Sequence, residues 1–380
     1  MHTAEDFVKA LFLLSLLSLA GCNQTHSSAP RAESARQAGE DNVVDLYTWN
    51  DYLAPDTIAN FEKKTGIRVR VAYFDANETL DAKVLTGHSG FDVVVPTAPF
   101  LQRQIQSGAY QVLDRKRLPN LGNLDPAIMA RLAVNDPGNA HAVVYAWGTW
   151  GLGFNQKKVA AALPETPVDS WRLVFDPAFA SRLATCGINI VDEPTGAIRV
   201  VLKYLGRDPN APGPQDLADA QALLLRIRPF IRNINSSSAI EDLANGDICM
   251  AIGYNGDIVQ ARKRAHEANN GITINYVIPK EGSLVWFDTL AMPRDAPHPA
   301  NAHALLNYLL DPAVIADVTN ATGFANANAA ATPLVNASIT ADAAVYPSRD
   351  EQARLFVQVV DSPEQSRAIT RIWQKFKTGQ

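Results

Sequence analysis

From residue 43 onward the chain alternates between two hydrophobic rhythms. Val43–Trp49 reads as a strand, and Asp56–Lys64 as a helix with Ile58 and Phe61 on one face and Gly66 as its stop. Ile67–Phe74 alternates as a strand, and Glu78–Leu85 returns to helical spacing. Phe91–Pro96 holds the buried-strand run Val93-Val94-Val95, and Phe100–Gln106 is again helical. A strand–helix repeat of this kind predicts a mostly parallel sheet with helices on its faces. Around Tyr145–Phe154 the texture changes to aromatics and glycines, as in a strand crossing between two lobes. A second α/β block follows, with helices near Thr195–Leu205, Asp216–Ile227 and Asp257–Ala268. Its strands are Ile248–Gly253, Ile272–Ile278 and Leu284–Met292. One or two helices over Ala302–Ala321 and an amphipathic helix over Gln365–Lys377 close the pattern.

This organisation predicts an α/β protein of two lobes, with 43–146 plus 267–315 in the first and 147–266 plus 316–380 in the second. A chain that passes more than once between lobes leaves a cleft at the crossing, where ligands gather in open α/β architectures.

The first 42 residues are different. Ala10–Gly21 is a run of twelve apolar or small residues, too short for a mature membrane span but right for the apolar region of a signal peptide. Leu19-Ala20-Gly21-Cys22 resembles a bacterial lipobox, so 1–21 is expected to be a lipoprotein signal peptide with Cys22 the lipidated residue. Its leading segment carries Glu5 and Asp6 against only Lys9, whereas export signals usually begin net positive. Residues 22–42 are polar and rich in Ser and Ala, the composition of a flexible tether. These features place the folded body in the periplasm, held to a membrane only through its lipid.

The 380 residues are 47% hydrophobic and 19% charged, an ordinary globular composition. The net charge of −5 offers no basic face for nucleic acid. Of three cysteines, Cys186 and Cys249 remain after Cys22. In an oxidising compartment they form either one disulfide or two buried thiols, and spacing does not choose between these.

Catalytic chemistry leaves no trace. The seven histidines are scattered and form no HExxH or other metal-ligand spacing. Gly87-His88-Ser89-Gly90 lacks the spacing of a nucleophile elbow and precedes a strand where an elbow follows one. No GxGxxG, P-loop or CxxC occurs. No catalytic residue, metal or cofactor is expected, and the protein reads as a binder rather than an enzyme.

Seven segments carry a more specific signal. They are Tyr47-Thr-Trp-Asn-Asp-Tyr52, Gly90-Phe-Asp-Val-Val-Val-Pro96, Pro167-Val-Asp-Ser-Trp171, Asp242-Leu-Ala-Asn-Gly-Asp-Ile-Cys249, Gly253-Tyr-Asn-Gly-Asp257, Ile278-Pro-Lys-Glu-Gly282 and Ala325-Asn-Ala-Asn-Ala-Ala-Ala-Thr-Pro333. In this order they resemble the periplasmic spermidine/putrescine-binding proteins of ABC transporters, above all the putrescine type. The resemblance implies a two-lobed periplasmic-binding-protein fold of type II, closing on its ligand about a hinge. It also implies a Cys186–Cys249 disulfide and a monomer that serves an ABC permease. A sensor of polyamines or other cations, signalling through a membrane partner, is the alternative within the same fold.

The resemblance carries ligand roles onto Trp49, Asn50, Asp51 and Tyr52, onto Thr97 after the Val-Val-Pro strand, and onto Ser236. It does the same for Tyr254 and Asp257, Trp286 and Asp288, and Phe324. One position departs. Where relatives carry a glutamate after Asp-Ser-Pro-Thr, this chain reads Asp192-Glu193-Pro194-Thr195-Gly196. The carboxylate is missing at 196, and Glu193 stands three residues earlier.

These residue types suit a polyamine, an apolar rod carrying ammonium groups. Each ammonium needs acceptors once it leaves water, and carboxylates supply them with compensating charge, about 1.5–3 kcal/mol per charged hydrogen bond. Aromatic faces pack on the methylenes and attract the cations by about 0.5–2 kcal/mol each. Taken singly, Asp257 equally fits a helix cap, Asp288 a buried ion pair, and Trp49, Trp286 and Phe324 an ordinary core.

Overall fold

The computed structural model describes residues 41–380. The expected signal peptide 1–21, the expected lipidation site Cys22 and all but the last two residues of the expected tether lie outside the described residues. Glu40–Gln380 forms one compact unit.

Among the described residues ten strands occur in chain order. They are β1 (Val43–Trp49), β2 (Arg68–Phe74), β3 (Val93–Val94), β4 (Ala142–Asn155), β5 (Ile188–Ile190), β6 (Asn233–Ile234), β7 (Met250–Tyr254), β8 (Ile274–Val277), β9 (Ser283–Ala291) and β10 (Leu355–Val357). Their spatial order is β2-β1-β3-β9-β4-β7-β5-β6, with β10 beside β9 and β8 beside β4. At the two flanks the pairs β1–β2, β1–β3, β5–β7 and β5–β6 are parallel, as the strand–helix repeat predicts. The centre differs: β4 runs antiparallel to β7, β8 and β9. The reason is that β4 and β9 are not links in a repeat but the strands by which the chain changes lobes.

β4 is the spine. All 14 of its residues are buried. Its first part, Ala142–Thr149, pairs with β9, and its second, Trp150–Asn155, with β7 and β8. Gly148 shows why small residues interrupt it. A Cβ there would lie 2.5 Å from the Trp286 ring and collide with the Asn255 side-chain oxygen, so the crossing needs a bare backbone for Trp286 to lie against it.

Apolar side chains segregate accordingly. One cluster gathers Leu46, Phe61, Val94, Trp147, Phe287 and Leu306. Another gathers Trp150, Trp171, Ile190, Val201, Ile252 and Phe376, with a small satellite around Ile258 and Ile274. These are the two lobes. Their boundaries depart from the expected ones in the C-terminal third. Ala316, Val318, Ala325, Val345 and Val357 pack in the first cluster, whereas 316–380 was expected with the second. β10 explains the shift, because it extends the first lobe's sheet by pairing with β9. The chain returns to the second lobe only after it, where the helix Pro363–Thr378 buries Ile369, Ile372, Trp373 and Phe376. Ile274 likewise packs with the second lobe, so that return crossing lies between β8 and β9. None of the described helices is long and apolar enough to cross a membrane.

Candidate functional site

A cavity of about 490 Å³ opens between the two clusters. The first lobe lines it with Trp49, Tyr52, Thr97, Asp288 and Phe324, and the second with Glu193, Tyr254 and Asp257. Trp286 packs against both clusters and forms part of the floor.

Asp288 is the anchor of the first lobe. It stands in β9 two residues after Trp286, so the strand's two-residue period sends both side chains to one side. Only 4% of Asp288 is exposed. Tyr52 Oη donates to its Oδ2 at 2.5 Å, and Thr97 Oγ1 to its Oδ1 at 2.6 Å. Thr97 is itself held by Asn77, whose Nδ2 donates to the threonine hydroxyl at 2.9 Å. Burial pushes the Asp288 carboxyl up to about 6, with the two hydroxyl donors pulling the other way. No cation among the described residues pairs with it, so the buried-ion-pair reading of Asp288 finds no partner there. The Tyr52 phenol is raised well above its ordinary value by burial and by that neighbouring charge, and it remains a donor.

Asp257 is the second lobe's counterpart. The helix Asn255–Glu267 begins two residues before it, and Asp257 occupies the first turn without capping it. The helix therefore aims its positive end at this carboxylate. Burial alone raises Asp257 to about 6. Neither a hydrogen bond nor an ion pair ties it to any described residue.

The walls are aromatic and continuous. Trp49 and Tyr52 have ring centroids 6.3 Å apart, Tyr52 and Phe324 5.3 Å, Phe324 and Trp286 5.8 Å, and Trp286 and Tyr254 6.4 Å. The last two pairs meet edge to face, at 83° and 76°. Trp49 is fixed by its indole N–H, which donates to Val95 O at 3.0 Å. The Trp286 indole N–H is buried without a partner. Among the described residues no lysine or arginine lines the cavity. Its negative charge is therefore not neutralised by the cavity's own side chains.

Not every expected residue joins this set. Asn50 and Asp51 are exposed in the turn after β1, with Asp51 at φ 58°, and neither lines the cavity. Ser236 is exposed and its hydroxyl accepts from Asp192 N at 3.2 Å, also outside the lining. Sequence reasoning passed over Asn77, Phe100 and Gln358, which do line it. Asp75-Ala76-Asn77-Glu78 follows the C-terminal end of a parallel strand, the usual place for ligand contacts, and that position was the available signal. Gln358 lies in the last crossing, which no motif marks.

Another cluster has metal-like composition. Ligand atoms of Asp45, Asp92 and His298 lie within 4.8 Å of one another. They satisfy each other instead: Asp92 accepts from Asp45 N at 2.8 Å and His298 N at 2.6 Å, and Arg70 grips Asp45. This is an internal latch between β1 and the segment before the helix Pro299–Leu309.

Fold and site together define a solute-binding protein: two lobes on a crossing sheet, with a ligand-sized cavity between them. The chain belongs to the bacterial extracellular solute-binding proteins, whose pattern residues 56–347 match. It is 47% identical to the putrescine-binding periplasmic protein SpuD of Pseudomonas aeruginosa, over 90% of this chain and 94% of that one. It is also 47% identical to the putrescine-binding periplasmic protein PotF of Escherichia coli, over 90% and 93%. Among solved structures, the spermidine/putrescine ABC transporter substrate-binding protein PotD of Streptococcus pneumoniae superposes with a TM-score of 0.80. At 22% identity, over 89% of this chain and 99% of that one, it shares the fold.

The Cys186–Cys249 disulfide is formed, with Cα atoms 5.4 Å apart. It joins the residues just before β5 and β7, which pair in parallel from Ile188 and Met250.

Proposed function

We propose that this protein captures a polyamine, putrescine or spermidine, in the cavity between its lobes and delivers it to an ABC permease. The observation that carries the reading is a pair of carboxylates, Asp288 buried and Asp257 part-buried, one on each lobe, set among aromatic rings with no cationic side chain among the described lining residues. Buried carboxylates that no cation offsets ask for a ligand that brings its own charge. The rings of Trp49, Tyr52, Tyr254, Trp286 and Phe324 ask for one whose charges are joined by methylenes. Arginine and other amino acids fit less well, since their carboxylate would call for a cationic partner.

Size sets the strength. A diamine of six heavy atoms at about 1.5 kcal/mol per atom gains at most about 9 kcal/mol, or sub-micromolar affinity. That is tight enough to scavenge and weak enough to release. The names of the 47% identical relatives favour the same ligand class. We further read the protein as a lipoprotein monomer, tethered through Cys22 in the periplasm.

Isothermal titration of residues 43–380 with putrescine, spermidine, cadaverine and arginine tests the ligand. Micromolar or tighter binding of a polyamine, weakened at least about tenfold in Asp257→Ala, is the expected result. No heat with any of the polyamines would refute it. Labelling with a radioactive fatty acid, abolished by Cys22→Ser, tests the anchor.

A further inference from the structure

Besides the exposed Asp75 and Glu78, one more carboxylate lines the cavity. Glu193 is the N-cap of the helix Pro194–Tyr204, and its oxygens accept from Thr195 N at 3.2 Å and Gly196 N at 2.5 Å. Glutamate is not a favoured cap; Asn, Asp, Ser and Thr reach the same N–H groups with shorter side chains. Here the longer chain folds back over the first turn, and residue 196 explains how. A Cβ on Gly196 would lie 2.5 Å from Glu193 Oε2 and 2.8 Å from the Trp150 ring. The carboxylate thus occupies the space that a side chain at 196 would fill. Its charge faces the same phenol as the others: the Tyr254 hydroxyl feels Glu193, Asp257 and Asp288 together. A carboxylate has about four acceptor positions. Backbone N–H groups take two of them, and the remainder belong to a group that lines the cavity.

We propose that Glu193 receives one cationic end of the ligand and that Gly196 is the substitution in the site that admits it. The inference rests on the reading of the cavity as a polyamine site and assigns one of its charges. Burial pushes the Glu193 carboxyl up while its two backbone donors pull the other way, and the first turn of the helix holds it in place, so the acidic group enters from the cap rather than from the helix face. The two residues act as a unit: any side chain at 196 displaces the carboxylate that the glycine accommodates.

Glu193→Gln separates this role from simple capping: the amide oxygen keeps one of the two N–H groups, which bond different carboxylate oxygens, while the charge and the second acceptor are lost. Titration with putrescine is expected to show affinity reduced at least tenfold in Glu193→Gln, while the lost cap bond is read separately as a lowered melting temperature in the absence of ligand. Gly196→Ala should weaken putrescine in the same direction. Butylamine, which has the same chain with one charge, should bind Glu193→Gln within about twofold of the unaltered protein. Putrescine affinity equal to that of the unaltered protein would overturn the assignment and leave Glu193 a cap. So would equal losses for putrescine and butylamine, which signal only a weaker overall field. An unaltered protein that binds neither amine would instead refute the polyamine reading itself.

Discussion

Asp288 and Asp257 reach the same elevated value, about 6, by different routes. Asp288 is more deeply buried but receives two hydroxyl donors, while Asp257 receives none and is less enclosed. In both, the folded-state carboxyl lies above its ordinary value near 3.8, so the native state takes up protons at a higher pH than the unfolded chain does. The sign follows: without ligand, these two groups make the protein more stable as pH falls from 7 toward 4. Ligand binding has the opposite dependence, because an ammonium requires the ionised form. Putrescine affinity should be level between pH 7 and 8. It should decline below pH 6, by on the order of tenfold per pH unit for each carboxylate that titrates. Calorimetry across pH 5–8 checks this, and Asp288→Asn should show weaker binding with a shallower pH slope. Affinity unchanged down to pH 5 would mean that neither carboxylate touches the ligand.

At the scale of elements, the disulfide ties the starts of two neighbouring parallel strands across a sequence separation of 63 residues. Loop-closure entropy for such a span stabilises by about 4 kcal/mol, acting on the unfolded chain. The variant Cys186→Ser with Cys249→Ser should lose about that much in urea unfolding yet keep its putrescine affinity, since neither cysteine lines the cavity. A loss below about 1 kcal/mol would show that the unfolded chain is little constrained by the bond. The elements themselves were largely legible in the sequence. β1, β2, β4, β7 and β9 and the helices after residues 56, 193, 213 and 362 fall where the apolar pattern places them, because each has enough positions for its buried face or run to show. The three-residue β5 and two-residue β6 were not legible, since a period cannot show in so few positions. The site was readable where its chemistry is local, as in Trp286-Phe287-Asp288 or Gly256-Asp257. It was not readable where tertiary geometry decides. Asn77 enters only through its bond to Thr97, 20 residues away, and Glu193 reaches the cavity only because Gly196 has no side chain.

Across the whole molecule the chain changes lobes three times: within β4, between β8 and β9, and after β10. Arg199 fastens the third crossing. Its side chain is 1% exposed and donates to Val359 O at 2.9 Å and to Asp361 Oδ1 at 2.6 Å, so the segment leaving β10 is bound to the helix that Glu193 caps. A ligand held by Asp288 on one side and Asp257 and Glu193 on the other would act on both lobes at once, and these crossings are the places where the backbone can bend. Such a ligand should favour the closed arrangement only as far as it grips both lobes better there. Small-angle scattering of residues 43–380 should therefore show a smaller radius of gyration with saturating putrescine. At 1,000 times the dissociation constant, the ligand should also stabilise the fold by about 4 kcal/mol. Asp257→Ala removes an anchor from one lobe only. At putrescine concentrations that still saturate it, the variant should stay at the ligand-free radius while retaining contacts through Asp288. If the variant compacts as fully as the unaltered protein, closure is driven from the first lobe and the aromatic walls, and the bridging role assigned to Asp257 is wrong.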